Sequence, residues 1–391
     1  MKLKTVRDLD VHNKRVLVRV DYNVPISSGI VGDPLRIEGS FKTIKYLLDQ
    51  GCSIVLCSHL GRPDGRVVPE LSLAPVAKKA SEMLNRQINF VPECVGAEVD
   101  AAARDLKPGE IILLENLRFH PEEETNDAEF AKKLAGLGEV YVDDAFAAVH
   151  RAHASTVGVT EYLESAAGLL VDEEVRQITR ALEKPNKPLV AVVGGAKVST
   201  KMDVLNNLLK YVDRLVIGGA MANTFLASQG KKIGKSKFEP DFTDEAQQII
   251  KAADAENVEL ILPEDLLVAK SIEHGPAHMA AIDDVADDDF IVDLGPKTVA
   301  KIMHPFDFHG TIIWNGPLGI TEVPEFAHNS RLLADNIIES GCDCIIGGGD
   351  TAAFVDEAGL HDKFTWVSTG GGASLELMAG NELPGLKVLE K

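Results

Sequence analysis

The chain has 391 residues, more than the roughly 250 to 300 at which one hydrophobic core stops growing, so two domains are expected. Hydrophobic residues make up 45% and charged residues 26%, which excludes a largely disordered chain. Forty Lys and Arg against 60 Asp and Glu give a formal charge of −20, which argues against nonspecific binding to nucleic acid or to an anionic membrane. Small anions stay open, because screening over about 8 Å lets the nearest few charges decide.

Residues 1–15 carry charges throughout, and no apolar run approaches about 18 residues, so neither a leader nor a membrane span is expected. The first half should place strands at residues 15–20, 53–57, 88–91, 111–114 and 140–142, short β-branched runs separated by helical-period segments. A charged helical segment over 172–184, stopped by Pro185 and Pro188, reads as an interdomain connector, and hinge or plain spacer are both open. The second half should place strands at 189–193, 215–217, 258–262, 290–292, 311–314, 344–346 and 365–367. Such alternation is the pattern of parallel sheets with crossover helices, so the expected class is α/β: two doubly wound, Rossmann-like domains joined by an interdomain helix. The cysteines, Cys52, Cys57, Cys94, Cys342 and Cys344, are odd in number and lack C-x-x-C pairing. Buried free thiols in a reduced, cytoplasmic compartment fit better than disulfides or zinc.

In open α/β sheets ligands bind beyond the carboxyl ends of the strands. In the first half those positions hold Asp21 and Asn23, His59 and Arg62, Arg118, and Asp144 followed by Arg151, with Arg36 in the first loop. Each arginine alone is most simply a solvated surface charge. Several at one sheet edge make a site for phosphate and carboxylate, which planar guanidiniums bind with two parallel hydrogen bonds. In the second half the same positions are glycines: Gly194-Gly195, Gly218-Gly219, Gly295, Gly316 with Gly319, Gly347 to Gly349 and Gly370 to Gly372. Glycine lets phosphate approach backbone amides, above all where a helix begins. Lys197 and Lys201 are four apart and share a face if that segment is helical, which suits a polyphosphate. Asp350 is a candidate for Mg²⁺, or a helix N-cap, or both.

Several motifs fail. Gly230 to Ser236 is one residue short of a P-loop and follows a helical pattern. No G-x-G-x-x-G follows the first strand, no G-x-S-x-G is present, and His150 and His153 form H-x-x-H without a glutamate, beside Arg151.

The blocks Arg19-Val-Asp-Tyr-Asn-Val-Pro25, Ser58-His-Leu-Gly-Arg-Pro63, Leu114-Glu-Asn-Leu-Arg-Phe119, Gly194-Gly-Ala-Lys-Val-Ser-Thr-Lys201, Trp314-Asn-Gly-Pro-Leu-Gly319, Gly347-Gly-Gly-Asp-Thr351 and Ser368 to Glu376 resemble, in order and over nearly the whole chain, the phosphoglycerate kinase family. The resemblance implies reversible phosphoryl transfer between 1,3-bisphosphoglycerate and ADP, giving 3-phosphoglycerate and ATP, with Mg²⁺, in a monomer. It implies a domain at 1–171 with a returning tail at 381–391 for the triose acid, a hinge at 172–187, and a nucleotide domain at 188–380. By motif match Asp21, Asn23, Arg36, His59, Arg62, Arg118 and Arg151 would hold the acid. Lys201, Glu322, Gly348, Gly349, Asp350 and Thr351 would hold the nucleotide, with Asp350 on the metal. Arg36, Lys197, Gly371 and Gly372 would surround the transferring group. Asn329 stands where the family usually has glycine, and asparagine's tolerance of left-handed backbone is expected to keep the geometry. The rivals are a kinase of the same architecture acting on another acid or sugar phosphate, and a non-catalytic metabolite-binding protein.

Overall fold

The computed structural model describes residues 1–304 and 309–391. The chain divides into two compact units, Met1–Arg176 with Glu382–Lys391, and Gln177–Asn381.

In unit 1, β1 (Arg15–Val20) is followed by a two-stranded hairpin of β2 (Ile26–Ser27) and β3 (Ile30–Val31), then β4 (Ser53–Cys57), β5 (Ile88–Val91), β6 (Ile111–Leu114), β7 (Val140–Asp144) and β8 (Ser165–Ala167). Apart from the hairpin these form one sheet in the order β5-β6-β4-β1-β7-β8, with every pair parallel. The central strands read as unbroken apolar runs because helices cover both faces. Their side chains still alternate. Val16, Val18, Ile54, Leu56, Ile111 and Leu113 enter the core on one face, while Leu17, Val55, Cys57, Ile112 and Leu114 enter that on the other. Helix Leu169–Glu183 begins three residues before the segment expected from sequence, and the boundary between the units falls inside it, after Arg176.

In unit 2, β9 (Leu189–Val193), β10 (Arg214–Ile217) and β11 (Glu259–Ile261) lie on one side of a second all-parallel sheet, and β15 (Thr311–Asn315), β16 (Asp343–Gly347) and β17 (Trp366–Val367) on the other, in the order β11-β10-β9-β15-β16-β17. Between them in sequence, β12 (Asp265–Ala269), β13 (Ala277–Ala281) and β14 (Phe290–Leu294) form a separate antiparallel sheet, ordered β13-β12-β14. The strand expected at 290–292 therefore exists but belongs to this small sheet and not to the parallel one. β2, β3, β8, β12 and β13 have no counterpart among the expected strands. Cys344 is buried in β16, whereas Cys342 precedes the strand and is only partly buried. No helix among the described residues is long and apolar enough to cross a membrane.

Candidate functional site

Each parallel sheet presents a distinct carboxyl edge, and in each the strand order reverses around a central strand, β1 or β9, where crevices form.

At the edge of unit 1, Arg36 Nη1 donates to Asp21 Oδ2 at 2.7 Å, which ties a partly exposed guanidinium to the residue that follows β1. Asn23 Oδ1 accepts from the Gly61 amide at 2.9 Å, and Arg118 Nη1 donates to the Gly61 carbonyl at 2.8 Å. One loop after β4 is thereby tied to residues after β1 and β6. Asn116 fixes the same loop from the other side, taking the Leu60 amide at 3.1 Å and donating to the Leu60 carbonyl at 2.7 Å.

His59 is buried, and burial together with the charges of Arg19, Arg118 and Arg36 holds its imidazole well below the ordinary histidine range. Arg19 Nη2 lies 2.8 Å from His59 Nδ1. Arginine only donates, so Nδ1 accepts and the single ring proton sits on Nε2. His59 is thus a fixed neutral donor. Arg19 Nε also donates to Ser155 Oγ at 3.0 Å, and Ser155 donates on to Glu123 Oε1 at 2.6 Å, so one buried chain sets the ring. Arg62 is exposed and makes no hydrogen bond or ion pair among the described residues. Arg151 donates through Nε to His150 Nε2 at 3.1 Å, and its charge helps depress the neighbouring Arg118 and His153, so it belongs to the same basic cluster.

Asp144 is not part of this edge. It is fully buried, and its Oδ1 accepts from the Leu170 amide at 2.9 Å in the first turn of helix Leu169–Glu183. Arg19, Ser155, Glu123 and Asn116 were missed from sequence as site residues. Arg19 alone carried a signal, a cation inside the apolar run Arg15–Val20.

At the edge of unit 2, Gly194, Gly219 and Gly316 are where three loops meet backbone to backbone. A Cβ would lie 2.1 Å from the Pro317 carbonyl oxygen at Gly194, 2.6 Å from the Gly195 nitrogen at Gly219 and 2.3 Å from the Gly194 carbonyl oxygen at Gly316. These glycines close the loops on one another, a packing role beside the ligand access expected of them. Gly349 and Gly371 face open space instead. Gly349 opens helix Gly349–Glu357 and Gly371 caps helix Gly372–Met378.

Beside these loops lies a cavity of about 370 Å³. Glycines 195, 219 and 319 wall one side and apolar side chains of β12 and β14, among them Leu266 and Val292, another. Glu322 and Asp350 stand on its lining. The small antiparallel sheet, absent from the sequence reading, supplies that apolar wall.

The two lysines behave differently from each other. The segment between them is bends and turns, so they do not share a helix face. Lys197 is exposed. Lys201 is buried and donates to Gly194 O at 2.7 Å, Asn315 Oδ1 at 2.8 Å and Asn315 O at 3.2 Å. Burial pushes this ammonium down to about 8, against the opposing pull of Asp350. All three of its hydrogens are engaged by the loops it pins. Thr351 is likewise buried, its hydroxyl accepting from the Gly316 amide at 2.7 Å. Gly348, at φ +88°, caps the Gly349 helix. Asn329 lies inside helix His328–Ser340 and is not among the positive-φ residues, so left-handed tolerance plays no part there.

The sequence profile of one family, phosphoglycerate kinase, matches residues 6–381. A phosphoglycerate kinase of Moorella thermoacetica is 49% identical over 386 residues, covering 98% of each chain, and one of Dictyoglomus turgidum is 48% identical over 395, covering all of both. The solved phosphoglycerate kinase structure from Coxiella burnetii superposes with a TM-score of 0.89 at 43% identity, covering 99% of this chain and 98% of that one. With two all-parallel six-stranded sheets and this similarity over its full length, the chain belongs to the phosphoglycerate kinase family, glycolytic kinases that transfer a phosphoryl group between ATP/ADP and phosphoglycerate.

Proposed function

We propose that unit 1 holds the triose acid at its basic edge through Asp21, Asn23, Arg36, His59, Arg62, Arg118 and Arg151, and that unit 2 holds the nucleotide in its glycine-walled cavity. The observation that carries this division is the opposed chemistry of the two edges. One offers guanidiniums and a neutral imidazole donor, the other an apolar slot with carboxylates at its lining. The slot suits a purine ring, and the Gly349 and Gly371 helix starts beyond it suit phosphates. Glu322, Gly348, Gly349, Asp350 and Thr351 would frame the nucleotide. Thr351 would in addition hold the Gly316 loop, and Lys201 would support the site through the loops it pins.

The reaction needs no general base, because the carboxylate of 3-phosphoglycerate and the β-phosphate of ADP are already ionised near neutrality. Alignment and positive charge are what the protein must supply. Lys197 offers an exposed cation and Arg36 one held by Asp21 to the equatorial oxygens, and the amides of Gly371 and Gly372 add fixed dipoles. Asp350, exposed on the first turn of its helix, fits Mg²⁺, which takes one or two carboxylates together with phosphate oxygens. When bound, Mg²⁺ neutralises phosphate charge. The protein is proposed to work as a cytoplasmic monomer whose units close on the paired substrates and exclude water, which limits ATP hydrolysis.

The test is a coupled assay with MgATP and 3-phosphoglycerate, the product consumed by an NADH-dependent dehydrogenase, with other carboxylates and sugar phosphates in parallel. NADH loss requiring both substrates is expected. Turnover only with another acid, or none at all, would overturn the assignment.

A further inference from the structure

A second cluster with chemistry of its own lies in unit 1 at the sheet's edge strand. β5 and β6 are paired in register with Val91 opposite Leu114, so the turns that follow them run side by side. Glu93 and Cys94 come from the first turn, and His120 ends the short helical turn Leu117–Phe119 that follows β6. Their ligand atoms all lie within 4.8 Å of one another. His120 Nε2 is 2.6 Å from Glu93 Oε1, and the Cys94 amide donates to that same oxygen at 2.7 Å. Cys94 Sγ is buried and held 3.0 Å from the Glu115 carbonyl oxygen. The His120 ring packs on Phe130 with centroids 5.1 Å apart, which limits its rotation.

We propose that Glu93, Cys94 and His120 form a binding site for a thiophilic divalent cation of the Zn²⁺ class, separate from any nucleotide-bound Mg²⁺. A thiolate, an imidazole and a carboxylate are a donor set for zinc or cobalt, whereas Mg²⁺ takes oxygen ligands only. Metal–sulfur bonds of about 2.3 Å and metal–nitrogen or –oxygen bonds of about 2.0 Å place tetrahedral ligands roughly 3.3 to 3.8 Å apart. The widest present separation closes to that by on the order of 1 Å, and the His120–Glu93 pair, hydrogen-bonded at 2.6 Å without metal, opens by about as much. Glu93, whose side chain is 47% exposed, has the freedom to supply it and opens the route from solvent. Water would complete the tetrahedron.

On binding, the Cys94 S–H bond breaks, sulfur takes the metal, and the proton leaves to solvent. The imidazole, whose Nε2 hydrogen faces Glu93 Oε1 in the metal-free state, gives up that hydrogen bond, moves the proton to Nδ1 through solvent and coordinates through Nε2. Without metal the thiol is inert, since burial and nearby carboxylates push it well above the usual cysteine range. Occupation would also stiffen the turn carrying Arg118, two residues before His120.

The experiment is a Co²⁺ titration of the full chain, read by the thiolate-to-cobalt band in the near ultraviolet and reversed by Zn²⁺. One equivalent with that band is expected, lost in Cys94→Ala and kept in Cys342→Ser, whose thiol belongs to unit 2. His120→Gln and Glu93→Gln, both at partly exposed positions, should each weaken Co²⁺ by more than about tenfold, since even outer-shell losses cost that much. They decide the matter if Cys94→Ala does not fold. Absence of a thiolate band, or unchanged affinity in both of those variants, would overturn the proposal.

Discussion

At the scale of single residues, buried polar groups divide the labour between chemistry and architecture. His59 is neutral and keeps its one ring hydrogen on Nε2 because Arg19 occupies its other nitrogen. Its charge therefore stays constant over the working pH range, and the anion edge does not titrate with it. Lys197 is the opposite case, exposed and available. Lys197→Ala should leave the fold intact while lowering kcat by about 10² or more with a much smaller change in KM, because an interaction made mainly in the transition state is lost. Near-normal kcat in the coupled assay would remove Lys197 from the transferring group.

Asp144 gives a pH prediction. Burial pushes its carboxyl up to about 8, with Thr43 and the amides of Leu170 and Val171 only partly offsetting this. The folded group keeps its proton where the unfolded one, near 4, has lost it. The unfolded chain thus binds fewer protons between about pH 4 and 8, and stability falls as pH rises through that window. Asp144→Asn removes this contribution to the slope, while Asp143 and Asp293, which burial pushes up to about 7, keep theirs. In urea unfolding its advantage over the parent should grow by at least about 1 kcal/mol from pH 5 to 8 and level off above. A constant gap would show that Asp144 ionises normally.

At the scale of elements, the glycine loops of unit 2 separate into two kinds that look alike in sequence. Gly219 has φ +64° and no room, since a Cβ there would lie 2.7 Å from the Pro317 carbonyl oxygen. Gly371 has φ +53° and open space. Gly219→Ala should thus destabilise unit 2 by several kcal/mol, roughly the backbone strain of 1 to 3 plus the displacement of a neighbouring loop. Gly371→Ala meets no neighbour, so it should cost only the strain of its glycine-favouring backbone, φ +53° and ψ −113°, about 1 to 3 kcal/mol, while still depressing kcat if its amide faces the transferring group. Equal melting temperatures for the two variants would contradict this division. The antiparallel strands β12 (Asp-Leu-Leu-Val-Ala) and β13 (Ala-His-Met-Ala-Ala) escaped sequence reading because neither carries the β-branched run that marks β4, β9 or β15. Their pairing is nonlocal.

At the scale of the whole molecule, the last residues belong to unit 1. The Lys4 amide donates to the Leu389 carbonyl at 2.8 Å, the Gly385 amide to the Val149 carbonyl at 2.9 Å, and Leu383, Leu386 and Leu389 are buried. Three leucines at about 1.5 to 3 kcal/mol each make deletion of residues 382–391 costly, on the order of 5 kcal/mol. Hydrogen exchange should show lost protection in unit 1 and unchanged protection in the β9–β15 core of unit 2. Equal loss in both would refute that localisation. Closure on paired substrates makes a different prediction at this scale: small-angle scattering should show a smaller radius of gyration with both substrates than with either alone. An unchanged radius would rule out closure.

Legible in the sequence were the two α/β units, most strands of both parallel sheets, and the polarity of their edges. Those features rest on local patterns, apolar runs about five residues long and the residue types that follow them. Tertiary structure alone decided that Lys201 and Thr351 hold loops, that Asp144 supports a helix start, and that Arg19 sets the His59 tautomer. It also brought Cys94 to His120 across two strand ends. Each of these depends on which atoms face one another across the sheet and on whether water reaches them, and a residue's type and spacing do not specify either.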